Sequence, residues 1–191
     1  MKNRTAVLTI LTAFIVLSAC GPSTSERIAA ANVRKPAATS TAPLAATHAS
    51  TAARPRIVTP ARRLQCVPYA REQSGITIRG DAWTWWRQAK GKYERTSRPT
   101  VGSVIVFSKT KRNRYGHLAV VTQIVNDREI VARHANWLNR GQIHIDTPIR
   151  DVSRNNNWSA VRVWYTPGKV FGKHDYPVSG FILPPARRAA G

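Results

Sequence analysis

Apolar positions along the chain fall into three regimes. From Ala6 to Ala19 they are almost unbroken. From Gly21 to about Pro60 they show no sustained period. Beyond residue 60 they return as short runs with recognisable punctuation. Cys66-Val67-Pro68-Tyr69-Ala70-Arg71-Glu72-Gln73 predicts a short helix stopped by Gly75, with Pro68 tolerated in the first turn. Asp81 is placed to cap a second helix over Ala82 to Lys90, closed by Gly91. On that helix Trp83 and Trp86 would share a face, with Trp85 pointing elsewhere. Pro99-Thr100-Val101-Gly102 reads as a turn. Strands are then predicted at Val104–Phe107, Leu118–Val125, Glu129–Asn136, Gln142–Asp146 and Val161–Tyr165. They succeed one another without intervening helical patterns, which predicts an antiparallel sheet in an α+β fold with short N-terminal helices packed on it.

The first regime is too short, at 14 residues, to span a bilayer, which takes roughly 20. It suits a secretory segment behind the basic Met1-Lys2-Asn3-Arg4. Its end, Leu17-Ser18-Ala19-Cys20, resembles a bacterial lipobox. That resemblance implies a signal peptide over 1–19, lipidation of Cys20 and a membrane anchor. Gly21 rather than Asp after the cysteine implies an outer-membrane lipoprotein, facing the periplasm or the cell surface. Residues 20–60 are rich in Ala, Thr, Ser and Pro and contain no aromatic residue. Such a stretch cannot bury enough surface to offset the entropy of ordering, and is expected to be a flexible tether. All six Trp and all five Tyr lie beyond residue 60, which sets the expected folded domain at 61–166. Residues 167–191 are expected to be an irregular C-terminal extension.

Composition narrows the classes. Of 191 residues 42% are hydrophobic and 20% charged, which excludes a wholly disordered chain. Two cysteines are too few for a disulfide framework. With 30 Lys+Arg against 9 Asp+Glu, the net charge of +21 attracts polyanions without choosing among nucleic acid, anionic membrane and wall polymers. The basic residues are scattered and no nucleic-acid motif is present, so no nucleic-acid partner is expected.

Cys66 falls at the start of a predicted helix, where unpaired N–H groups and the helix dipole favour thiolate over thiol. The plain alternative is a buried structural thiol. His117 opens a strand directly after Gly116. If the hairpin turn sits at Asn126-Asp127 and Val125 faces Arg128, then His117 lies opposite Asn136 and Ala119 opposite His134, all on one face. Asn136 would then hold one ring nitrogen of His117, with His134 on the diagonal, leaving the other nitrogen for the Cys66 proton. Nucleophile, base and orienter make up the arrangement for thiol acyl transfer.

Several blocks together resemble the CHAP family of cysteine, histidine-dependent amidohydrolases and peptidases. These are Cys66 to Arg71, Ser74-Gly75-Ile76, Gly80-Asp81-Ala82-Trp83, Pro99 to Phe107, Gly116 to Val121 and His134-Ala135-Asn136-Trp137. The resemblance implies a papain-like α+β fold and cleavage of an amide bond in peptidoglycan, by an N-acetylmuramoyl-L-alanine amidase or an endopeptidase. It carries the nucleophile to Cys66 and the base to His117. The family often has Glu where this chain has His134, with Asn two residues later as in Asn136, so both stand as candidate orienters. Tyr69, Arg71 and Trp137 are candidate substrate-binding residues. Residues 54–65 hold no acid, so no metal is expected there, and no cofactor is implied. The expected partners are peptidoglycan and, through Cys20, a membrane, with the chain as a monomer. The alternative is a non-catalytic, lipid-anchored peptidoglycan-binding protein.

Overall fold

A computed structural model describes residues 54–186. The signal segment, Cys20 and most of the expected tether lie outside the described residues. Strand β1, Arg56–Val58, precedes helix α1, Cys66–Ser74. Helix α1 ends as its sequence dictates: Gly75 takes φ 74° and its N–H donates to Arg71 O. Only glycine adopts that left-handed conformation without steric cost.

The second helix is shorter than its sequence suggests. A 3-10 turn over Ala82–Thr84 leads into α2, Trp85–Gln88. Asp81 gives no side-chain cap; its carbonyl accepts from the Thr84 hydroxyl instead. Trp85 points away from the face of Trp83, as expected. Trp85 is fully buried in the core, whereas Trp83 stays 37% exposed.

Strands β2, Arg95–Thr96, β3, Val104–Phe107, β4, His117–Asn126, β5, Glu129–Ala135, β6, Ile143–Asp151, and β7, Ala160–Tyr165, follow. The chain ends its described part with β8, Val170–Phe171, and β9, Tyr176–Ile182. All pairings are antiparallel. The order β6-β5-β4-β3-β9-β7 returns to β6, so six strands close into a barrel. Helices α1 and α2 pack on its outside.

Closure explains two departures from the sequence reading. Tyr176–Ile182 is no irregular extension: β9 joins β3 to β7, and Phe181 and Ile182 are fully buried. Arg56–Val58, expected in the tether, pairs with Ile143–Ile145 along the first half of β6, the half that β7 leaves uncovered.

Two cores share the β3–β4 wall. Val104, Val106, Leu118 and Val120 face the helices with Ala70, Ile76 and Trp85. Ile105, Phe107, Ala119 and Val121 face the barrel interior with Ile130, Ile149, Trp158, Val161 and Phe181. Side chains alternate along a strand, so a strand buried on both faces must read as an unbroken apolar run, as β3 does.

If β9 completes the barrel, Phe181→Ala should cost about 3–5 kcal/mol of unfolding free energy, the range for large aromatic truncations in cores. Urea denaturation at pH 7 measures it. A loss within about 0.5 kcal/mol, as at a neutral surface position, would remove β9 from the core.

Candidate active site

The first residue of α1 and the first residue of β4 meet at one end of the barrel. Cys66 is a half-buried free thiol packed against the core beneath the helices. Its helix starts from Gln65, which is extended at φ −108° and ψ 156°. Gln65 makes no side-chain cap; its Oε1 accepts from Asn136 Nδ2 at 2.7 Å. Burial pushes the Cys66 thiol above its ordinary value, opposed in part by backbone hydrogen bonds from Leu118, Val67 and Cys66 itself. The helix start therefore does help the thiolate, but desolvation outweighs it, contrary to the expectation from sequence.

His117 enters the barrel interior from the strand end. Gly116 makes this possible. It has φ 67°, and a Cβ there would sit 2.6 Å from Phe107 O and 2.7 Å from Trp83 N. The Trp83 N–H donates to Tyr115 O at 3.1 Å, pinning this approach. His117 is 5% exposed and meets the ring edges of Phe107, Trp137 and His134 with centroids 5.7, 4.8 and 5.0 Å away. Burial, and then the proximity of His144, pull its imidazole down to about 3, so it is neutral at pH 7.

Of the two candidate orienters, His134 and not Asn136 touches His117. His117 Nε2 lies 2.8 Å from His134 Nδ1, and His134 is fully buried. The expected 117–136 pairing does not form. Val120↔Arg133 and Val121↔Ala132 hold the anticipated register, but bulges shift the pairing nearer the turn, and β5 stops at Ala135. Asn136 then takes φ 63° and turns its amide to Gln65, while its Oδ1 accepts from the Gly141 N–H at 2.8 Å. It holds the helix start to the loop after β5 and leaves His117 alone.

A cleft of about 550 Å³ opens at this end, lined by Gln65, Cys66, His117, Asn136, Trp137 and Tyr176 among others. Trp137 thus lies where the sequence reading put it. Tyr69 and Arg71 do not line the cleft: Tyr69 is buried on α1, 6% exposed, and Arg71 sits in the last turn of α1. Gln65, Arg112, Tyr176 and the buried His144 escaped the sequence reading. His144 alone left a signal there, a polar residue between Ile143 and Ile145 in a predicted strand. Among the described residues, no hydrogen bond joins the Cys66 sulfur to His117, and no three His, Cys, Asp or Glu side chains are grouped as metal ligands.

Residues 58–136 match the CHAP domain family, a stretch that takes in Cys66, His117 and His134. Among solved structures the chain is similar to an N-acetylmuramoyl-L-alanine amidase from Staphylococcus aureus, at 23% identity and a TM-score of 0.39. That similarity covers 61% of this chain and 30% of the amidase, so the chain spans less than a third of that protein. No curated protein matches the chain.

With the thiol raised and the imidazole lowered, the free protein holds both groups neutral at pH 7. The sign follows: alkylation of Cys66 should rise with pH in one step, centred above the ordinary cysteine value of about 8.5. Iodoacetamide kinetics followed by mass spectrometry of the Cys66 peptide tests this. A reactivity plateau reaching down to pH 5 would mean a preformed thiolate–imidazolium pair and contradict it.

Proposed function

We propose that the chain is a peptidoglycan hydrolase that cleaves an amide of the wall peptide with Cys66 as nucleophile and His117 as base. The observation that carries the reading is the cleft of a CHAP domain that presents Cys66 beside a neutral His117 whose far nitrogen is held by His134. The Cys66 sulfur attacks the carbonyl carbon while its proton passes to His117 Nδ1. The thiol need not be ionised beforehand, because a neutral base in the same cleft can take the proton as the C–S bond forms. His117 then protonates the leaving amine, and water releases the acyl group from sulfur.

Donors for the developing oxyanion stand nearby. The Cys66 N–H opens α1 with no partner inside the helix. Gln65 lines the cleft with its Oε1 already engaged by Asn136, which leaves its NH2 group to donate. Trp137 and Tyr176, with ring centroids 5.0 Å apart, form an aromatic wall for the substrate. Arg112 adds a cation that suits the carboxylates of wall peptides.

Cys66→Ala should abolish release of soluble muropeptides from purified sacculi, with a fall of at least about 10³-fold, because no other group in the cleft replaces the nucleophile. Chromatography and mass spectrometry of digests measure this, and the new terminus identifies the amide cut. Undiminished release by the variant removes the mechanism and leaves a wall-binding module.

The same reading places the domain on a membrane through Cys20, in an outer membrane facing the periplasm or the cell surface. Its support is the apolar run that ends in Leu17-Ser18-Ala19-Cys20. Labelled palmitate should be incorporated by the full chain and lost in Cys20→Ser; label that persists in the variant would refute the anchor.

A further inference from the structure

Strand β6 brings a third imidazole to the site. His144 is 1% exposed and pairs with His134 across the β5–β6 ladder, with ring centroids 5.1 Å apart. On its other side Ile57 of β1 pairs with it. The imidazoles of His117, His134 and His144 thus form a row running from the cleft into the barrel wall.

Two nitrogens in this row are buried without a partner among the described residues: His134 Nε2 and His144 Nδ1. They belong to neighbouring rings. A buried polar atom left unpaired costs about 1–3 kcal/mol, so two such atoms on rings 5.1 Å apart call for a common explanation.

Proton placement supplies it. For His117 to accept a proton at Nδ1, its own proton must sit on Nε2, because a neutral imidazole carries one. That Nε2–H points at His134 Nδ1, 2.8 Å away, which must then be an acceptor. His134 consequently carries its proton on Nε2, one of the two unpartnered atoms. The other, His144 Nδ1, is an acceptor whenever His144 carries its proton on Nε2.

We infer that His144 is a positioning residue: a turn of its ring from the arrangement that leaves both nitrogens unpartnered lets its Nδ1 accept the His134 Nε2–H, and so fixes all three rings in the tautomer that leaves His117 Nδ1 open to the thiol. The inference rests on the assignment of Cys66 and His117 as nucleophile and base. Without an acceptor at 144, the His134 N–H is stranded in the barrel. Moving that proton to Nδ1 relieves the cost and turns His134 into a donor toward His117 Nε2. His117 must then carry its proton on Nδ1, where it blocks the reaction. The row also gives the transient His117 imidazolium a chain of neutral acceptors, with no net charge added to the interior.

Nitrogen-15 spectra of the full, histidine-labelled chain read the tautomers directly. The wild type should show His117, His134 and His144 all protonated on Nε2; an Nδ1–H on His134 or His144 would overturn the inference, whatever the variants do. His144→Leu should move His117 toward its Nδ1–H form and slow muropeptide release at saturating sacculi by about 10²-fold, the contribution of a correctly protonated base. His144→Asn, which keeps an acceptor oxygen near the place of Nδ1, should recover most of that loss. A folded His144→Leu protein with wild-type tautomers and rate would overturn it as well. The spectra need no turnover, so they stand apart from the assignment of activity: if Cys66→Ala digests sacculi as well as the wild type, the hydrolase reading falls while the hydrogen-bond chain is still read.

Discussion

Strand β4 is buried on both faces, and that double burial sets the site. Its even-numbered residues Leu118 and Val120 hold the helical layer, and its odd-numbered residues Ala119 and Val121 fill the barrel. His117 has the odd parity, so it must enter the barrel mouth, where His134 and Trp137 wait. Leu118 has the even parity and belongs to the cluster that Cys66 packs against. The backbone of Leu118 also reaches the Cys66 sulfur. Two consecutive residues of one strand therefore bind the two reactive groups from opposite sides of the sheet. A slip of one residue would exchange the faces and place the imidazole among the helices.

Depth in the barrel accounts for an imidazole, rather than a carboxylate, beside His117. A carboxylate beside His117 would strengthen the base more than an imidazole does. It would also put a charge in a pocket formed by Phe107, Trp137 and a second and third histidine, where desolvating an ion is costly. His134 offers a lone pair without that charge. Neutrality then spreads through the site: burial lowers His117, His134 and His144 alike and raises Cys66. The arrangement resists ionisation at rest, and in the proposed reaction it defers charge separation to the moment of attack, when a bound substrate can receive the negative end.

Much of this was legible in the chain, and the failures have physical causes. Val104–Phe107 was readable because a strand buried on both faces has no polar interruption. Helix α1 was readable because Gly75 marks its end. That Cys66 and His117 line one cleft followed from residue type and position. Asn136 was misplaced because the ladder was extrapolated past its end: the anticipated register holds at Val120 and Val121, but β5 stops at Ala135, one residue earlier than the pattern suggests. Strand β9 was missed because Pro177 and Gly180 interrupt its apolar residues. Pro177 is tolerable because its neighbour on that side, Ala160, belongs to a ladder of only two pairs, and Gly180 because the Trp86 ring stacks where a Cβ would be. Both residues are shaped by neighbours distant in sequence. Strand β1 is three residues between two prolines, too short to carry a period at all.

The reach of the family match sharpens what the rest of the chain contributes. Residues 58–136 hold Cys66, His117 and His134, yet they cannot bury the inner faces of β4 and β5 alone. Ile149, Trp158, Val161, Val163 and Phe181 supply the opposite half of that core, and all lie beyond residue 136. The same late strands finish the site, since β6 brings His144 beside His134 and β9 brings Tyr176 to the cleft wall. The geometry of the cleft and barrel closure are thus one constraint. The ring that keeps His134 dry is closed by strands that carry no reactive group, and loosening any of them would admit water to the imidazoles and release the neutral state on which the proposed proton transfer depends.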